Sequence, residues 1–149
     1  MKALFDTNVV LDILLQRDNF FKDSFSSLVI SDFNKYKPCI TSNSISDIYY
    51  LSSKLIGKDA AKEMMNDLLT VFDIIDVNES DCFSAFANPK SNDYEDALAY
   101  ASAYRNKVDC IITRDNTHFK DNCIKVYSPA DFGRVKWLRN KKTVTLLLY

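Results

Sequence analysis

Carboxylates stand at four places in this chain where an apolar run stops or a helix begins. Asp6 closes Leu4-Phe5, Asp47 follows Ser44-Ile45-Ser46, Asp93 and Asp96 bracket Tyr94-Glu95, and Asp115 follows Thr113-Arg114. In an open α/β sheet, the C-terminal ends of the strands and the starts of the helices face one crevice, where ligands bind. Acids gathered there repel one another and resist ionisation unless a cation balances them. Hard divalent ions, Mg²⁺ or Mn²⁺, prefer an all-oxygen site of this kind. The pattern therefore points to metal-dependent chemistry on phosphate.

Each acid also has an ordinary explanation. Asp6 and Asp93 could cap the helices that follow them, Asp47 and Asp96 fall in or near first turns where a carboxylate favours the positive end of the helix dipole, and Asp115 could shape a turn. Capping accounts for acids at helix starts one at a time. It does not account for so many of them at the same edge of a sheet.

The elements that must position these acids alternate. Lys2 to Phe5, Cys39-Ile40-Thr41, Val71 to Val77, Cys110-Ile111-Ile112-Thr113 and Ile124 to Tyr127 read as strands, the last of them as a central one. Between them, Val9, Val10, Ile13 and Leu14 recur at helical spacing, as do Phe20, Phe21, Phe25, Leu28, Val29 and Phe33. Ser42 or Ser44 is placed to cap a helix carrying Ile45, Ile48, Tyr49 and Leu55, which Gly57 ends. Further helices are expected over Ala60 to Leu69, Ser80 to Phe86 and Tyr94 to Tyr104, with a loop at Asn88-Pro89. This order predicts a three-layer α/β/α sandwich around a mostly parallel sheet.

At 149 residues and 47% hydrophobic, the chain is long enough for one well-buried core. No apolar run approaches the roughly 20 residues that span a bilayer, and the N-terminal stretch reaches Asp6 too soon for a signal peptide, so a cytoplasmic protein without membrane contact is expected. Cys39, Cys82, Cys110 and Cys123 form no C-x-x-C pair and read as reduced thiols. With two glycines, Gly57 and Gly133, neither a P-loop nor a dinucleotide fingerprint can be built. His118 is the single histidine and no G-x-S-x-G is present, which removes support for a serine hydrolase.

Charge is uneven. Residues 134–149 hold Arg134, Lys136, Arg139, Lys141 and Lys142 and no acid, leaving 14 basic and 20 acidic side chains in residues 1–133, a balance of −6. Any polyanion must therefore be held locally.

The chain resembles PIN-domain proteins, and within them the ribonuclease toxins of VapBC-type toxin–antitoxin pairs. The resemblance rests on Leu4-Phe5-Asp6-Thr7-Asn8-Val9-Val10-Leu11-Asp12, on Ser91-Asn92-Asp93-Tyr94-Glu95-Asp96-Ala97-Leu98-Ala99, on Ile111-Ile112-Thr113-Arg114-Asp115 and on Val126-Tyr127-Ser128-Pro129-Ala130-Asp131-Phe132. It covers residues 1–133 and implies a Rossmann-like sandwich with Mg²⁺- or Mn²⁺-dependent endonuclease activity on RNA. Position by position, Asp6, Asp96 and Asp115 match the family's metal-binding acids, and Asp93 an additional acid of one subgroup. Asn8 and Thr113 match supporting polar residues; Thr7 would serve with them, and Arg114 could steer a phosphate. The family's second acid is usually a glutamate on the third helix; Asp47 stands there, and one methylene less shortens its reach by roughly 1.5 Å. His118 stands where an acid often precedes a phenylalanine.

The resemblance implies an RNA substrate, an antitoxin partner and a homodimer or higher oligomer. A housekeeping RNA-processing nuclease and a silent module that only binds RNA or protein remain open beside it. A phosphatase of the haloacid dehalogenase type would need an aspartate where Asn8 sits. Residues 134–149, basic and then apolar (Thr143 to Tyr149), form an extension outside the resemblance, expected to pack on the body or pair with a sheet edge.

Overall fold

The computed structural model describes residues 1–88, 93–115, 117 and 123–135. In chain order the elements are β1 (Lys2–Phe5), α1 (Thr7–Leu14), α2 (Phe21–Phe33), β2 (Lys37–Thr41), α3 (Ser42–Ile56), α4 (Lys58–Val71), β3 (Asp73–Ile75), α5 (Glu79–Phe86), α6 (Tyr94–Arg105), β4 (Cys110–Ile112) and β5 (Lys125–Tyr127). A helix over 129–135, α7, follows. His118, Pro89, and the extension from 136 to 149 lie outside the described residues.

All five strands are parallel, in the order β3-β2-β1-β4-β5. β1 is central because its residues are apolar on both sides. Ala3 and Phe5 face one core with Ile40, Cys110 and Ile112, while Leu4 faces the other with Cys39 and Ile111. The alternation is the two-residue period of a strand, and burial on both faces is why the strand sequences read as unbroken apolar runs. Helices α1 to α4 cover the first face, through Val9, Val10, Ile48, Met65 and Leu68. Helix α6 covers the second through Ala103, and α5 packs on α6 through Ala85, Ala97 and Leu98. This is the expected α/β/α sandwich. From β1 the chain moves outward to β2 and β3, then returns to the other side as β4. The crevice therefore lies beyond the C-terminal ends of β1 and β4.

Several local expectations are corrected. Helix α4 runs through Val71, so β3 is only Asp73–Ile75, and β5 is an edge strand rather than a central one. Thr41, not Ser42 or Ser44, is the N-cap of α3, and it makes no side-chain cap bond. Gly57 does separate α3 from α4; its φ of 85° is the left-handed backbone that glycine adopts without strain. Helix α2 is turned the other way from its apolar stripe: Ser24, Ser27 and Ser31 are buried, whereas Phe25, Val29 and Phe33 are exposed. The reason is polar. Ser24 donates to the carboxylate of Asp12, which is wholly buried on α1, and small serines let the two helices approach around it. None of the four cysteines is in a disulfide, and burial pushes the Cys39 thiol up to about 12, far from reactivity.

Candidate active site at the ends of the first and fourth strands

The crevice opens where β1 stops. Asp6 turns the chain directly into α1 with extended backbone, φ −62° and ψ 147°, and occupies the N-cap place. Its side chain makes no cap bond. Instead Oδ2 accepts from the Thr113 hydroxyl at 2.9 Å, while the Asp6 amide donates to the Ile112 carbonyl at 3.0 Å. Thr113 is buried at the end of β4 and also accepts from the Asp115 amide at 3.1 Å. One hydroxyl thus joins the ends of two neighbouring strands.

Opposite Asp6 stands the first turn of α6. Asp93 is exposed and caps that helix, its Oδ1 accepting from the amides of Glu95 at 2.9 Å and Asp96 at 3.4 Å. Glu95 and Asp96 line the crevice together with Asp6, Thr7, Asn43 and Ser44, around a space of about 20 Å³, enough for one water-sized body. Thr7 donates to Ser44 Oγ at 2.9 Å, and Ser44 and Thr41 share a hydrogen bond at 2.8 Å, so three hydroxyls fix the floor between α1 and α3.

Electrostatically the acids act on one another. Burial pushes the Asp6 carboxyl above its ordinary value and Asp96 pushes it further; the Thr113 hydroxyl, the Thr7 amide and Arg114 pull it back. Burial also raises Glu95, followed by the charges of Asp47, Asp6, Asp93 and Asp96. Glu95 was not among the acids singled out from the sequence, yet it is where the fields of four others meet. Its signal was its place beside Asp96.

The remaining candidates are placed as follows. Asp47 is half-buried on α3, beyond the first turn, close enough to act on Glu95. Asp115 is exposed, and its Oδ1 accepts from the Thr117 amide at 3.0 Å, shaping a turn. Asn8 is exposed on α1. Arg114 lies over the Phe20 ring, 4.1 Å from its centroid, and its Nε is 3.5 Å from Asp12 Oδ2.

Among the described residues, no three ligand-type side chains are drawn together tightly enough to enclose an ion as they stand. The donors nonetheless suit a hard divalent cation in kind. All are oxygens, their mutual repulsion is what a cation would relieve, and the buried Oδ1 of Asn43, on the crevice wall, has no hydrogen-bond partner.

Known proteins share this fold. A curated relative, Ribonuclease VapC1 of Aquifex aeolicus, is 25% identical over 135 residues, covering 88% of this chain and 92% of the relative. Among solved structures, a toxin–antitoxin complex from Klebsiella pneumoniae superposes with a TM-score of 0.66 at 20% identity, covering 86% of this chain and 98% of that one. VapBC2 from Rickettsia felis, bound to a DNA fragment from its promoter, gives 0.61 at 16% identity over 86% and 98% of the two chains. VapC20 of Mycobacterium tuberculosis, a Sarcin-Ricin loop cleaving toxin, gives 0.63 at 13% over 79% and 93%. The sequence model of the PIN domain matches residues 2–117, which is most of the chain, and the protein belongs to the PIN-domain family.

Proposed function

We propose that this protein is a divalent-metal-dependent endoribonuclease and the toxin of a toxin–antitoxin pair. The observation that carries the reading is the convergence of Asp6, Glu95 and Asp96 on one crevice at the strand ends, with Asp47 near enough to act on Glu95, and with burial and Asp96 together pushing Asp6 above its ordinary pKa. The relative named a ribonuclease matches nearly the whole chain, which supports RNA as the substrate. That similar chains occur in toxin–antitoxin complexes supports an antitoxin partner.

Asp6 and Asp96 would hold Mg²⁺ or Mn²⁺, with Glu95, Asp47 and Asp115 turning inward to complete the oxygen set. The ion would supply a lowered pKa for water and a counter-charge for the phosphate. The protein's own part is positional. Thr113 holds the Asp6 carboxylate by its hydroxyl, and the Thr7–Ser44–Thr41 chain keeps the floor rigid, so Asp6 stays in place as the other acids turn inward. Asp93, engaged with two amides of α6, would act by fixing the helix that carries Glu95 and Asp96. Exposed Phe83 and Phe86 on α5 and Leu55 on α3 support self-association.

Purified protein incubated with single-stranded RNA and Mn²⁺ should cleave it, and Asp6→Asn or Asp96→Asn should not, at unchanged circular dichroism. Asp115 turned towards Thr117 favours a second reading, a module that binds RNA without cutting it. Wild-type protein that binds RNA in Mn²⁺ but leaves it intact would establish that reading instead.

A further inference from the structure

Asp12 has no part in the acidic crevice, yet it is wholly buried. A buried carboxylate is costly unless paired. Asp12 has three partners: Ser24 donates to Oδ2 at 3.1 Å, Arg17 Nη1 lies 3.4 Å from Oδ1, and Arg114 Nε lies 3.5 Å from Oδ2. Arg17 and Ser24 are its neighbours on the short path from α1 into α2. Arg114 is different. It comes from the loop after β4, between Thr113 and Asp115, and its charge is felt at Asp6.

The contacts on Arg114 are those of a side chain being aimed. Its guanidinium is stacked on Phe20, and the ion pair engages Nε, so the edge bearing the two terminal nitrogens is not needed for it. That edge offers two parallel N–H donors and can receive a phosphate in a two-pronged manner. Beside Arg114 lies an open hollow of about 210 Å³, bounded also by Phe20, Ser24, Ser128 and Pro129. Without a partner, a side chain with three rotatable methylenes would spread into that space. Meanwhile a body of net charge −6 must draw a polyanion to a cluster of acids, and the described residues lining the crevice include no lysine or arginine.

We propose that Asp12 is a positioning residue that, with Phe20, holds Arg114 beside the acidic crevice as the receptor for an RNA phosphate. This rests on the ribonuclease reading for the identity of the substrate. Removing the Asp12 charge leaves Arg114 free to turn into the hollow, so substrate binding weakens while the acids of the crevice stay in place.

The test compares wild type, Asp12→Asn, Arg114→Ala, the double variant and Arg17→Met, with the full-length chain. Cleavage kinetics in Mn²⁺ are paired with anisotropy of a labelled single-stranded RNA in Ca²⁺. Asp12→Asn should raise KM and Kd about fivefold or more with kcat within about twofold, and lower the slope of log affinity against log salt by about 0.7, one phosphate contact. Arg114→Ala should do the same, and the double variant no more than Arg114→Ala alone. Arg17→Met, which disturbs the same buried carboxylate without touching Arg114, should leave KM unchanged. If Arg17→Met raises KM as much as Asp12→Asn, the role of Asp12 is only structural and the proposal is overturned; wild-type affinity and salt slope in Asp12→Asn also overturn it. Should Asp12→Asn fail to fold, Phe20→Leu keeps the buried pair and removes the stack, and an unchanged KM there is equally fatal. A wild type that binds RNA without cleaving it sinks the nuclease reading alone, because the anisotropy arm still reads Arg114. A wild type that binds no RNA sinks both.

Discussion

The hydroxyl of Thr113 donates to Oδ2 of Asp6 across 107 residues of sequence, fastening the end of β4 to the end of β1 at an acid whose pKa burial raises. Thr113→Val keeps the shape and removes the bond. Because this bond pulls the Asp6 carboxyl down, its loss lets the pKa rise further, so ionised Asp6 is available only at higher pH. The acid limb of the cleavage profile should move up, activity near neutrality should fall roughly tenfold, and stability should drop by about 1 kcal/mol. An acid limb that stays in place would mean that Asp6 does not set it.

Glu95 gives the opposite sign. Its folded pKa is raised, so any stability it lends is present in acid and is lost as pH rises through the folded value. At neutral pH the ionised side chain works against folding, in the field of Asp47, Asp6, Asp93 and Asp96. Glu95→Gln should therefore raise Tm, on the order of 1–2 °C for a partly exposed group, and the gain should vanish by about pH 4. A gain independent of pH would assign the effect to something other than charge.

The same repulsion predicts a response to metal. Mn²⁺ at a hundred times its Kd should stabilise the folded chain by about 2.7 kcal/mol through linkage. Asp6→Asn or Asp96→Asn should lose most of that shift, and Asp47→Ala less of it, since Asp47 acts from outside the crevice wall. Thermal melts with and without Mn²⁺ read this directly; equal shifts in wild type and Asp96→Asn would remove Asp96 from the site.

What was legible follows from what is local. Ala3-Leu4-Phe5 and Cys110-Ile111-Ile112 read as central strands because a parallel sheet covered on both sides needs unbroken apolar runs. Asp6 reads as the polar residue at the mouth of the first of these strands, and Asp96 as an acid opening a helix. Glu95 was harder: neighbours on a helix point about 100° apart, and which of Glu95 and Asp96 meets the crevice depends on the roll of α6. That roll is set by what Ala97, Leu98 and Ala103 pack against, Ala85 on α5 and Leu4 and Ile111 in the sheet, and by Ser102 donating to the Asp76 carbonyl, all partners at a distance in sequence. The edge position of β5 depends on strand order, which periodicity does not contain. Helix α2 shows the limit most clearly. Its phenylalanine stripe gave the period correctly, but a buried carboxylate on α1 recruited the serine face inward.

At the other end of α6, Arg105 anchors the helix that carries the acids. It donates through Nε at 2.9 Å and Nη2 at 2.7 Å to the buried carboxylate of Asp81, and through Nη2 to the Asp76 carbonyl at 2.7 Å. The Arg105 guanidinium, by these hydrogen bonds, holds the Asp81 carboxyl below its usual range. A depressed folded pKa means stability that is present above the unfolded value and is lost as pH falls through the folded one. Arg105→Met should destabilise the folded chain near neutrality, because it removes charged hydrogen bonds to a buried acid. Its penalty should shrink below about pH 4, where the unfolded chain begins to take up the proton. Chemical denaturation of both proteins from pH 7 to pH 3 measures this, and a penalty constant across that range would show that Arg105 contributes by packing rather than by its charge.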